Sequence, residues 1–133
     1  MKISSVLISQ NKEYLLIKYK KGIFSGKWAF PGDIIEGDIE EEVKDVVYNQ
    51  LGYGVELLRP ICIYSFNNGK NYVYEAEILI DELNINHDIV KEIRWFNFEE
   101  LFEMDDLAFN VKDSVEKYEE KKFDRSERLD IEV

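Results

Sequence analysis

Residues 28–52 read Trp28-Ala29-Phe30-Pro31-Gly32-Asp33-Ile34-Ile35-Glu36-Gly37-Asp38-Ile39-Glu40-Glu41-Glu42-Val43-Lys44-Asp45-Val46-Val47-Tyr48-Asn49-Gln50-Leu51-Gly52, and this stretch decides the fold. Trp28-Ala29-Phe30 reads as a short strand, and Pro31-Gly32-Asp33 is the turn signal that ends it. Asp38 stands where an N-cap carboxylate accepts a backbone N–H, and Glu41, three residues on, completes a capping-box pattern. Ile39, Val43, Val46, Val47, Gln50 and Leu51 share one face at about 100° per residue, and Gly52 supplies the stop. The stretch predicts an amphipathic helix over 39–51, with Glu40, Glu41, Lys44 and Asp45 turned outward.

Upstream, the apolar runs Ile3–Ile8 and Tyr14–Tyr19 flank a polar turn and predict a hairpin. The start of the chain reads as the first strand, since it lacks the small-residue cleavage site of a signal peptide. Lys20–Lys27 is a loop with two glycines. Downstream, Val55–Phe66 predicts a strand interrupted at Arg59-Pro60, Asn67–Lys70 a tight turn, and Tyr72–Ile80 the return strand. A polar loop, 81–91, leads to a strand at 92–96, then helices at Phe98–Met104 and about Phe109–Lys122. Residues 1–122 are expected to form a single domain, and 123–133 a flexible acidic tail. Mixed strands with one helix in the middle and helices at the end give an α+β chain, an α/β/α sandwich around a mixed sheet.

Composition narrows the function. With 133 residues, 45% hydrophobic and 14% aromatic, the chain has enough apolar material for one real core. No run approaches the ~18 apolar residues of a membrane span, so no membrane association is expected. A single cysteine, Cys62, cannot form an intramolecular disulfide, and its setting in Ile61-Cys62-Ile63 reads as core. A cytoplasmic location is the default expectation. The net charge of −11 argues against a nucleic-acid partner. It also repels phosphate-rich ligands at long range unless a metal or a local basic cluster intervenes. The lone His87 reads as an exposed loop residue.

Three local matches, in order along the chain, resemble the Nudix hydrolase family: Trp28-Ala29-Phe30-Pro31-Gly32, the helix ending at Gly52, and Glu92-Ile93-Arg94-Trp95-Phe96-Asn97-Phe98-Glu99-Glu100-Leu101. The resemblance covers roughly residues 3 to 118. It implies a pyrophosphohydrolase acting on nucleoside diphosphates linked to another group, with magnesium bound by glutamates of a box that reads G-x5-E-x7-R-E-U-x-E-E-x-G-U. Magnesium needs hard oxygen ligands, carboxylates among them. Laid on that pattern from Gly52, this chain has Asn49 and Gln50 where the paired glutamates belong. Val46 replaces the third glutamate and Asp45 the arginine. The Pro31–Gly52 stretch is also about two residues short, with Asp33 where a second glycine would stand. Asn49 and Gln50 keep a carbonyl oxygen and lose the charge that would offset a divalent ion's dehydration.

Three functions follow from this degenerate box. The first is a pocket that binds a nucleotide or related phosphorylated metabolite with little or no hydrolysis. Its candidate ligand-binding residues are Trp28, Phe30, Tyr19, Asn49 and Gln50, and Tyr64 and Tyr74 are further aromatic options. The second is a hydrolase with a rearranged magnesium or manganese site at Glu36, Glu42 and Asp45. Its catalytic candidates are Glu42, Asp45 and Glu92, with Asp88 in the same late loop. The third is a protein-interaction scaffold or homodimer, supported by the acidic C-terminal region, where thirteen acids face six bases over 98–133.

Overall fold

β1 (Lys2–Gln10) is the element around which the others assemble. Ile3 to Ile8 are all buried, so the strand is covered on both faces, and its run is continuously apolar apart from Ser4 and Ser5. Those two hydroxyls are satisfied internally: Ser4 Oγ donates to Tyr72 O at 3.1 Å and Ser5 Oγ to Asn71 Oδ1 at 2.9 Å. The computed structural model describes residues 1–66 and 68–132, with side chains as far as Lys121.

The remaining elements are β2 (Glu13–Tyr19), β3 (Trp28–Ala29), β4 (Gly32–Ile35), α1 (Ile39–Leu51), β5 (Gly54–Phe66), β6 (Gly69–Ile80), β7 (Val90–Asn97), α2 (Phe98–Glu103) and α3 (Val111–Glu132). The strand order is β3-β2-β1-β6-β5, with β4 also paired to β1 and β7 to β2. β1 runs parallel to β6 and antiparallel to β4, and turns into β2 through the tight link at Ser9–Tyr14. β2 then pairs antiparallel with β3 and β7. α1 packs on β1, β4 and β5, while α3 packs on β5 and α2. This is the expected α+β arrangement, a mixed sheet carrying three helices.

α1 has the predicted bounds. Asp38 accepts from Glu41 N at 3.0 Å, and Gly52, at φ 79°, donates to Tyr48 O. Only half of the expected capping box forms there; the reciprocal pair is found at α2, between Asn97 and Glu100. The long β5 passes through Arg59-Pro60 without a break, because two register shifts absorb the proline on a strand at the end of the strand order. Cys62 is half-buried, its thiol 3.6 Å from Ser114 Oγ, since β5 turns it toward the start of α3 instead of fully into the core. α3 starts at Val111, later than expected, and its span overlaps the expected tail. The side chains of that tail lie outside the described residues, as does the expected turn residue Asn67.

The principal correction is β4. Pro31-Gly32-Asp33 reads as a turn, yet Gly32 opens a strand paired with Ser5 of β1. A Cβ at Gly32 would lie 2.3 Å from Ser4 O and 2.7 Å from Ser5 Cα, so glycine serves close backbone approach here. Gly32→Ala is expected to destabilise the chain by about 3 kcal/mol, because the neighbour is backbone and cannot swing away. A urea melt with an unchanged midpoint would refute this packing account.

Candidate functional site

The end of α1 meets the start of β4 at Gln50. α1 turns Val43, Val47, Gln50 and Leu51 into the core, and Gln50 is the one polar member of that set, 2% exposed. Both ends of its amide have partners. Nε2 donates to Gly32 O at 3.0 Å, and Oε1 lies 3.3 Å from the Tyr19 hydroxyl. That hydroxyl accepts from Gly32 N at 3.1 Å, and its single proton has two other acceptors in reach, Phe30 O and Gly32 O. Burial drives the Tyr19 hydroxyl far above the ordinary tyrosine range, although the bonds to Gly32 and Gln50 act in the opposite direction. The group stays protonated. Helix, strand and loop are joined by a neutral hydrogen-bond junction.

This junction decides whether a divalent ion fits. Gly32 O faces an amide N–H, a group that ligates no hard cation, whereas magnesium demands oxygen on every side. Glu42 is already occupied: its carboxylate accepts from Gly37 N and from Glu36 N, so it clamps the loop that leads into α1. Asp45 and the Glu36 side chain are exposed. Among the described residues, no group of three or more His, Cys, Asp or Glu is arranged to hold a metal. The residues present do not fit magnesium or manganese, and Glu36, Glu42 and Asp45 are not brought together as a site.

The other candidates are dispersed as well. Glu92 is exposed on β7, in register with Lys18 of β2, and Asp88 is exposed in the preceding loop. Asn49 does not share Gln50's setting. One position along the helix turns it outward to a polar cavity of about 520 Å³ with Tyr48, Glu82 and Asn84. Trp28 and Phe30 are corrections to the ligand-stacking expectation. Both are core residues, 5% and 1% exposed, and Trp28 stands edge-on to Phe96 at 5.0 Å. Tyr19, equally buried, holds the Gly32 backbone through its hydroxyl. Tyr64 and Tyr74 are half-buried strand residues, and His87 is exposed as expected.

Sequence reasoning missed an apolar concavity that the fold builds. Ile3, Ile23, Phe24, Phe66, Leu107 and Phe109, with Met1, Lys27 and Ala108, line an apolar cavity of about 430 Å³. Ile23 and Phe24 also line a smaller cavity of about 240 Å³ that reaches Tyr19, Gly32, Asp33 and Gln50, with Lys21 beside them. The available signal was local: Ile23 is a large apolar residue in the non-periodic glycine loop, and it and Phe109 are exposed, 44% and 58%. Such residues have no core role to explain them.

Gln50→Glu tests the junction. A carboxylate there loses the donor to Gly32 O and buries charge, so its folded-state pKa must exceed the unfolded value of about 4.3. Below that value both states are neutral and the variant is close to the parent. As pH rises toward the folded pKa, the variant is expected to lose stability, by about 3 kcal/mol at neutral pH. Denaturation profiles of variant and parent that stay parallel from pH 4 to 8 would contradict this.

No family model matches the chain, and no curated protein matches it by sequence. Solved structures do. A MutT NUDIX hydrolase from Burkholderia pseudomallei aligns at TM-score 0.77 and 21% identity, over 87% of this chain and 95% of that one. A NUDIX hydrolase from Nitrosomonas europaea aligns at TM-score 0.78 and 16% identity, over 91% and 89%. The NUDIX domain of Shewanella oneidensis NrtR, solved in complex with ADP ribose, aligns at TM-score 0.72 and 17% identity, over 91% and 87%. Together with the order of strands and helices described above, these alignments make the chain a Nudix-fold protein.

Proposed function

We propose that the chain binds a nucleotide or a related phosphorylated metabolite and hydrolyses it little or not at all. The observation that carries this reading is the Gln50 amide bonded to Gly32 O, where an acid-lined box would need an anion facing a cation. Gln50 occupies a position that the Nudix resemblance assigns to a glutamate. Val46 and Asn49, at the two other glutamate positions, bring no charge either. Electrostatic stabilisation of a developing phosphate charge is the main means of catalysing phosphoryl chemistry, and among the described residues no acid cluster is built to hold a metal for it.

Retained concavity supports the binding half. The aromatic-lined cavity suits a flat ring, and the small cavity beside it leads to the junction. A Nudix domain of similar fold was solved with ADP ribose, which supports a nucleotide-like ligand for this one. A rearranged hydrolase would need Glu36, Glu42 and Asp45 freed and gathered, and Glu42 is bound to backbone.

Two assays on the unmodified chain test the proposal. With ADP-ribose, UDP-sugars or nucleoside triphosphates plus magnesium or manganese, release of nucleoside monophosphate is expected to stay at the protein-free level. Nucleotides are expected to raise the melting temperature in EDTA. Robust metal-dependent turnover would overturn the reading in favour of a hydrolase; no thermal shift with any nucleotide would favour an interaction scaffold.

A further inference from the structure

We infer that the chain carries a second ligand site, at the C-terminal end of α1, for a small organic cation: a guanidinium or ammonium on a short alkyl stem. The site is the polar cavity of about 520 Å³ between the last turn of α1 and the loop that follows β6. It shares no lining residue with the other two cavities described above, so it goes beyond the nucleotide reading and does not depend on it.

Backbone contacts build the cavity. Gly52 ends α1 at φ 79°, and a Cβ there would lie 2.6 Å from Glu82 O and 2.8 Å from Asn84 N. The loop after β6 therefore passes close against the helix end. Asn84 N donates to Leu51 O at 2.7 Å and Asn86 N to Gln50 O at 2.9 Å, which pins loop to helix. Tyr48 and Asn49 form the helix wall, and Glu82, Leu83, Asn84 and Asn86 the loop wall. Tyr48 and Leu83 are large side chains left 64% and 50% exposed, and both line this cavity.

Charge sets the sign of the ligand. Glu82 is the single charged side chain of the lining. The C-terminal end of α1 adds partial negative charge, and no basic residue in its last turn offsets it. One turn back on the helix, Lys44 and Asp45 cancel, and Lys20 donates its ammonium to His87 O. Asn86 Oδ1 holds Asp88 N, while the carboxamides of Asn49 and Asn84 add oxygens of the kind that accept N–H donors. A bare metal ion suits this lining poorly, because it needs oxygen on every side and would face Tyr48 and Leu83. A cation on a hydrocarbon stem uses both kinds of wall. Its N–H groups meet Glu82 and the amides, while its stem and its charge lie against Leu83 and the Tyr48 ring.

NMR titration of the full ¹⁵N-labelled chain with agmatine at low salt tests this, with N-butylurea as a neutral probe of similar shape. Agmatine is expected to give saturable shifts at Tyr48, Asn49, Glu82 and Asn84, and N-butylurea none. Glu82→Gln should weaken agmatine about three- to fivefold, with a smaller effect at high salt. Tyr48→Ala should weaken it about threefold. Both side chains are exposed, so either variant folds. Glu103→Gln, which removes the same charge from exposed α2, should leave the affinity unchanged. Equal losses from Glu82→Gln and Glu103→Gln would mean diffuse attraction to an acidic chain and would overturn the inference. So would equal binding of N-butylurea, no saturable shift with agmatine, or shifts of these same amides by calcium alone.

Discussion

The Gln50 carboxamide is the contact on which this account depends. It ties the last turn of α1 to the first residue of β4 through Gly32 O, and Tyr19 closes the junction from β2. Three segments far apart in sequence are thereby fixed by neutral donors and acceptors that are almost wholly buried. Low dielectric makes such a network stable only when every member is satisfied, and it makes an unpaired charge at the same place costly. An amide at position 50 stabilises the fold without any cation. A carboxylate there would need one.

That substitution links stability to function. A metal-dependent active site keeps like charges close together and depends on the ion to offset their repulsion. Here the corresponding stretch spends its polar atoms on local structure: Gln50 on Gly32, Glu42 on the Glu36–Gly37 backbone, Asp38 on the helix cap. The two adjoining cavities at the Gly22–Lys27 loop have apolar, partly aromatic walls and few charged side chains.

Elements with strong local signals were legible in the sequence. α1 was read to the residue because its cap, its apolar spacing and its stop agree. The hairpin, the long β5–β6 pair and the α2 start followed from alternation and turn chemistry. Gly32 was misread because close backbone approach and a turn demand the same residue, and only the partner strand tells them apart. For Trp28 and Phe30, alternation shows that the two share a face, not whether that face is core. The cavity was missed because its walls come from the N-terminus, the glycine loop, the end of β5 and the segment before α3. Their proximity exists only once the sheet has formed.

The most direct test of the central claim is a manganese titration of the unmodified protein, followed by NMR on the Gln50 side-chain amide. A paramagnetic ion broadens protons close to it, so the resonance reports on the ground between α1 and Gly32. The account predicts a slowly exchanging, dispersed amide pair whose line widths match those of the remainder of the core as manganese is added. Selective broadening of Gln50, Glu42 and Gly32 at manganese concentrations comparable to that of the protein would contradict it, by showing an ion bound where a hydrogen bond is claimed.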